Sequence, residues 1–418
     1  MLSANRGKTA GLLPSVLGAL VVGSTTIAAH AQTTPPATPA TPTSAPVTAS
    51  APITFNAMID GYYEYNFNKP IIPAGGSSAG HIQYRNFDIS DNAFTLGLAE
   101  LGVSKAATDA SRLGFTVKLG YGQTPSEITG SADGNSLNVL QAYGTFLIPV
   151  GAKDLTVNVG KFVTHMGYEV IEPELNYNYS RSDLFTIFIP YYAAGVSASY
   201  PLSPTVTATG FVENGWNNAT YDNNVSKAFG FSLAFAPSPK WSLTLNGLAS
   251  SEPDSYGTTV GTSQDESAQS GLTFNRAKNT VEPILTYNFT PAFSATVDAN
   301  FDFGKGATPD APTDLNGTWN ASGVAGYLHY AMASGSSVTL RGETFDDNKG
   351  YLTGSDALKG SEFTLTYGIK SPLFSGAETR FEYRYDSLKD KAGDSLFTSS
   401  HSAKKSQNTL SISELLTF

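Results

Sequence analysis

The chain has 418 residues, of which only 14% are charged, against about 25% in an ordinary soluble protein. Glycine (40 residues) and the aromatics (11%) are abundant, cysteine is absent, and 35 acidic residues outweigh 25 basic ones for a net charge of −10. That balance argues against nucleic acid as a partner, which needs basic patches. The missing cysteines rule out a disulfide framework and thiol chemistry.

Residues 1–31 read as an export signal. Arg6 and Lys8 are followed by an apolar stretch, Leu12 to Val22, interrupted by Pro14, and Ala29-His30-Ala31 gives a small-x-small cleavage site before Gln32. The stretch is shorter than the roughly 20 residues a spanning helix needs, and no apolar run of that length follows. No Asp or Glu precedes Asp60, so cleavage removes two of the 25 basic residues and leaves 23 against 35, a net charge of −12. Residues 32–52 are uncharged and rich in Pro, Thr and Ala, a composition expected to form an extended, solvated leader.

From Ile53 onward strand follows strand at period two. Ile53, Phe55, Ile59, Tyr63, Tyr65 and Phe67 alternate with Thr54, Asn56, Asp60, Glu64 and Asn66. Phe363, Leu365, Tyr367 and Ile369 alternate with Glu362, Thr364, Thr366 and Lys370, and Phe381, Tyr383 and Tyr385 with Arg380, Glu382 and Arg384. About sixteen such segments are predicted, near 53–67, 91–104, 112–122, 137–148, 154–164, 190–201, 204–214, 226–236, 239–250, 279–289, 291–304, 318–333, 336–346, 360–370, 376–386 and 406–418.

The connections alternate between short turns, such as 149–153 and 371–375, and long loops, including 68–90, 165–189, 251–278 and 387–405. Short turns on one side, long loops on the other and an even strand count characterise bacterial outer-membrane barrels. In hydrocarbon every backbone N–H and C=O must find an internal partner, so the sheet must close on itself. The expectation for 53–418 is therefore an all-β fold, a closed antiparallel transmembrane β-barrel with short periplasmic turns and long extracellular loops. It would be exported to the bacterial outer membrane, with the lipid of that membrane as its solvent.

In the last strand Leu410, Ile412, Leu416 and Phe418 share one parity. A terminal aromatic such as Phe418 resembles the signal by which outer-membrane barrels are handed to the barrel-assembly machinery. Glu414 falls on the same parity, so either a bulge re-phases the strand or another group covers it.

The segments Gly61-Tyr62-Tyr63-Glu64-Tyr65-Asn66-Phe67-Asn68-Lys69-Pro70, Gly160-Lys161-Phe162, Gly167-Tyr168-Glu169, Asn178-Tyr179-Ser180-Arg181-Ser182 and Pro190-Tyr191-Tyr192-Ala193-Ala194-Gly195-Val196 resemble the OmpL-like β-barrel porins of Gram-negative bacteria. They cover the first third of the exported chain; the rest is similar only in strand rhythm. The resemblance implies a single-chain outer-membrane barrel and, by analogy, a water-filled pore for passive diffusion of small hydrophilic solutes or ions. Assembly as a homotrimer is implied only at the level of the fold.

The same resemblance implies that the third long loop, 165–189, folds inward and narrows the channel. It carries Glu169, Glu172, Glu174, Arg181 and Asp183 as candidate constriction residues, together with Tyr168, Tyr177, Tyr179, Phe185 and Phe188. Its acidity would favour cations weakly. Lys118, Arg341, Arg380 and Arg384 lie on the polar parity of their strands and are expected on the lumen wall, either setting selectivity or pairing with Glu343, Glu378 and Glu382. A charge at the lipid midplane would cost about 2–4 kcal/mol. Tyr63, Tyr65, Phe67, Trp241, Tyr287, Phe289, Tyr383 and Tyr385 are expected as membrane-interface aromatics.

No enzymatic pattern is found: His81, His165, His329 and His401 are scattered, with no HExxH, GxSxG or P-loop, and no cofactor or metal is expected. Asp346-Asp347-Asn348-Lys349-Gly350 lacks the spacing of a calcium loop. The alternative to a pore is a non-conducting structural or adhesin-type barrel that binds an external partner through its long loops.

Overall fold

The computed structural model describes residues 51–70, 82–129, 137–220, 226–253, 275–306, 317–354, 357–397 and 402–418, and residues 222, 224, 308 and 399 singly. The expected export signal and most of the 32–52 leader lie outside the described residues, as do His81, His401 and most of the 251–278 loop.

Among the described residues the strands are β1 (Ile53–Asn66), β2 (Ala93–Lys105), β3 (Leu113–Tyr121), β4 (Asn138–Val150), β5 (Lys153–Val163), β6 (Tyr192–Ser203), β7 (Val206–Glu213) and β8 (Ala228–Ser238). They continue with β9 (Trp241–Pro253), β10 (Asn275–Thr290), β11 (Phe293–Lys305), β12 (Thr318–Ala331), β13 (Ser336–Asp347), β14 (Leu358–Lys370), β15 (Ala377–Lys389) and β16 (Ser406–Thr417). Each pairs antiparallel with its sequence neighbours, and β16 returns to β1, so the sheet closes as a sixteen-stranded barrel. The edge problem of an open sheet is thereby removed.

Side-chain parity determines the two faces. Along β14, Glu362, Thr364 and Thr366 are buried inside while Phe363, Leu365 and Tyr367 stand out at 38–45% exposure. On a soluble protein such an outer surface would aggregate; against lipid it is the face the solvent requires. The β14–β15 turn relies on glycine where the chain doubles back. Gly376 has φ +85, and a Cβ there would lie 2.2 Å from the Thr417 carbonyl.

Some boundaries differ from the sequence reading. β10 starts at Asn275, because residues 275–278 pair with 250–253 of β9, and β15 extends to Lys389, whose partner is Lys359. A short helix, α1 (Gln123–Thr129), stands in the connection after β3, with Ile128 buried. Glu414 is not re-phased by a bulge. β16 keeps an unbroken register with both neighbours, and Glu414 is exposed on the outer face, where its carboxylate accepts a 2.6 Å hydrogen bond from Thr379 Oγ1. Phe418 is 75% exposed, and its backbone exchanges two hydrogen bonds with Ala57 at the β1–β16 seam.

The apolar core lies within the barrel. Leu184, Phe185 and Phe188, from the connection between β5 and β6, join Phe87 from the connection between β1 and β2. They pack against Ile284, Ala325, Tyr327 and Phe345 of the wall.

Candidate functional site

The connection 164–191 leaves β5 and returns to β6 through a neck closed by the Thr164 amide donating to the Tyr191 carbonyl (2.9 Å). Between those residues the chain turns into the barrel. The turn is made at Gly167, whose φ of +97 only glycine adopts easily, and where a Cβ would lie 2.7 Å from Ile189 Cδ1. At the entry His165 stacks on Phe211, with ring centroids 4.0 Å apart. Further on, a 3-10 turn (Pro173–Leu175) and a π-turn (Leu184–Phe188) keep the segment compact.

Inward carboxylates of the wall hold its amides. Glu282 of β10 accepts from Gly167 N with both oxygens (2.8 and 2.9 Å), and Asp298 of β11 from Tyr168 N (3.3 Å). Glu382 of β15 accepts from Tyr179 N (2.7 Å) and Ser180 N (2.9 Å), and Glu343 of β13 from Asp183 N (2.6 Å) and Leu184 N (3.1 Å). Wall arginines hold its carbonyls: Arg341 donates to Ser180 O (2.6 Å), Arg380 to Pro173 O (2.9 Å) and Arg384 to Arg181 O (2.5 Å). Irregular backbone withdrawn from water must be satisfied in this way, and charged partners make these the stronger class of hydrogen bond.

The five acidic and basic residues expected in this segment have different environments. Glu169 pairs with Arg341 (2.7 Å) and accepts from Ser182 N (2.6 Å). Glu172 pairs with Lys118 of β3 (2.7 Å), which also meets Glu100 (2.9 Å). Asp183 pairs with Arg384 (2.7 Å). Arg181 turns back on its own segment, donating to the carbonyls of Val170 (3.0 Å), Tyr179 and Ile171, with the Phe87 ring 4.7 Å away. Glu174 is only half-buried; burial, and next the charge of Glu172, push its carboxyl up to about 7.

All four expected wall cations face inward, but Arg341 and Arg384 do not pair as the sequence suggested. Arg380 does meet Glu378 (2.7 Å). Arg341 instead bridges Glu169 and Glu362, and Arg384 meets Asp183 and Asp386. Glu343 and Glu382 hold backbone amides of the segment.

Several members of the cluster were not singled out from sequence. Glu282, Asp298 and Glu362 were legible only as inward parity. Arg85 carried no local signal at all, although it ties Glu64, Asp88 and Asp386 together at 2.6–2.7 Å.

The outer aromatics sort by height along the strands. Tyr63, Tyr65, Phe67 and Tyr385 lie toward the long-loop end, and Trp241, Tyr287 and Phe289 at the short-turn end. Tyr383 stands midway along β15, and its hydroxyl donates to Asn408 Oδ1 (2.6 Å). Parity was readable there; height was not.

Solved structures resemble the whole barrel. An anion-selective porin from Comamonas acidovorans aligns with 13% identity, covering 88% of this chain and 100% of its own, with a TM-score of 0.58. The outer-membrane channel DcaP of Acinetobacter baumannii aligns with 14% identity, 88% and 98% coverage and a TM-score of 0.56. Salmonella typhi OmpF, solved in complex with daunomycin, aligns with 11% identity, 88% and 98% coverage and a TM-score of 0.54. At these identities the likeness is one of fold. No curated protein matches the sequence. Residues 52–418 match the family described as "Putative beta-barrel porin-2, OmpL-like", and the chain belongs to that family of outer-membrane porins.

Proposed function

We propose that the barrel is a water-filled channel for passive diffusion of small hydrophilic solutes or ions, weakly cation-preferring and narrowed by the segment 165–189. The observation that carries this reading is the anchoring of that segment: wall carboxylates grip its amides and wall arginines its carbonyls. A segment held at so many points is a fixed restriction rather than a free external loop. Glu172 and Glu174, near the basic Lys118, would give the restriction a transverse field.

Cation preference is supported by the wall as well. The inward parity of β7 to β11 carries Glu213, Glu252, Glu282, Asp298 and Asp302 against Arg276 and Lys278, and acidic linings favour cations. The similar barrel from Comamonas acidovorans is described as anion-selective. Selectivity lives in the lining side chains, which 13% identity does not carry over. Residues 1–31 are proposed as the cleaved export signal and 32–52 as a periplasmic leader.

Planar-bilayer recording of the purified chain in a salt gradient tests pore and sign together. Discrete conductance steps with a reversal potential on the cation side are expected. A protein that inserts yet gives neither steps nor solute-driven vesicle swelling would instead favour an adhesin-type barrel.

A further inference from the structure

The outer face is apolar over most of its area, with an exception at the long-loop end of β11 to β15. There a groove of about 710 Å³ opens on the lipid side, lined by Phe301, Val324, Thr344, Ser361, Ser387 and the lysines Lys359 and Lys389 among others. The groove opens where the outward side chains Thr344, Ser361 and Ser387 are small. Thr344 pairs in register with Ser361, Ser361 with Ser387, and Ser387 with Ser406, forming a row of hydroxyls across four strands.

One pleat above this row, Lys359 and Lys389 are directly opposite one another, and both are exposed. Like charges facing each other across a strand pair repel. Lys359 is offset by Asp346 (2.5 Å), whereas Lys389 has no ion-pair partner among the described residues. Lys404 and Lys405 are exposed just ahead of Ser406, and Lys305 ends β11 on the outward parity. Lys391 is exposed in the same loop, and among the described residues Asp346, Asp390 and Asp394 are the acids of these strand ends that are not buried, so on a chain of net charge −10 the basic residues here outnumber the acidic ones. This basic group lies where the strands leave the hydrocarbon.

We propose that this groove binds the phosphate-bearing sugar headgroup of a membrane glycolipid. Its phosphate would sit between Lys359 and Lys389, and its sugar hydroxyls would lie along the Thr344–Ser361–Ser387–Ser406 row. A lysine ammonium is a compact point charge suited to phosphate, and an anion between the two lysines turns their repulsion into shared attraction. A second copy of the chain fits less well. In a cyclic assembly about the membrane normal facing residues share a height, and Glu414, the outward acid of β16, sits at the short-turn end.

The test uses the full barrel in neutral detergent, titrated with a bisphosphorylated acyl-disaccharide lipid and with the same lipid dephosphorylated. Retained lipid is counted by native mass spectrometry. The phosphorylated lipid should be retained preferentially. Lys359→Gln with Lys389→Gln should weaken it about tenfold, since each lysine near a charged surface contributes on the order of 1 kcal/mol and Lys359 is already partly neutralised. Asp346→Asn should strengthen binding, and Lys240→Gln with Lys370→Gln, at the other end, should leave it unchanged. Equal retention of the two lipids by the unmodified barrel overturns the proposal whether or not any variant folds. So does a double variant that keeps the lipid but loses an oligomer, which would make the groove an interface between copies. Channel conductance is not part of the readout, so the pore reading stands or falls separately.

Discussion

Arg341 of β13 and Glu169 of the inward segment are 172 residues apart in sequence and 2.7 Å apart in space, with both side chains withdrawn from solvent. The guanidinium also bonds Ser180 O (2.6 Å) and Glu362 (3.1 Å), so one side chain joins the far wall to two points of the segment. A buried charge is tolerated only when it is paired and hydrogen-bonded. This pair therefore acts less as a solute-facing charge than as a rivet.

Removing the rivet should loosen the segment. Arg341→Met leaves Glu169 without its cation and Glu362 with only the Arg384 guanidinium 3.8 Å away, a loss of the order of 3–5 kcal/mol. The expected outcome is a lower thermal unfolding midpoint together with a larger, noisier conductance step in planar bilayers. A variant with unaltered midpoint and conductance would mean that the other anchors suffice.

Glu382 offers a gentler version of the same experiment. Its carboxylate accepts the amides of Tyr179 and Ser180, and Glu382→Ala orphans both, at about 1–3 kcal/mol per buried group. Cleavage by an added protease within 177–182 should rise while the barrel itself stays resistant. Glu382→Gln keeps an acceptor oxygen and should fall between the two.

The half-buried Glu174 gives the channel a pH dependence. Its carboxyl is raised to about 7 by burial and by Glu172. It is thus charged above that value and neutral below it, and the burden of carrying its charge in the folded chain disappears as the pH falls. Cation preference, read as the reversal potential in a salt gradient, should weaken between pH 8 and pH 5.5. Glu174→Gln should hold the acid-side value throughout. Glu174→Lys should move the reversal potential toward anions without the instability expected of Glu169→Lys, which would face Arg341.

Phe418 separates assembly from stability. Its backbone closes the seam with Ala57 while its ring is 75% exposed, so Phe418→Ala keeps both hydrogen bonds. The amount of barrel recovered from outer membranes should drop severalfold, with the unfolding midpoint of the assembled fraction unchanged. Equal recovery would show that the ring carries no assembly signal.

Much of this molecule is written locally. The alternation in segments such as 360–370 and 376–386 gave strand positions to within a few residues, and the order of short and long connections gave the closed barrel. Both follow from a period-two backbone in a solvent that offers no hydrogen bonds. Parity likewise put Arg341, Arg380, Arg384 and Lys118 on the inside.

What parity could not give was partnership or height. Arg341 meeting Glu169 rather than Glu343, Arg384 reaching the carbonyl of Arg181, and Arg85 reaching Asp386 all depend on where an irregular segment crosses the lumen. Tyr383 at mid-strand depends on how far each strand is offset against its neighbours. Those are properties of the closed sheet, because contacts between residues more than a hundred positions apart exist only once closure has brought opposite walls within reach of the segment between them.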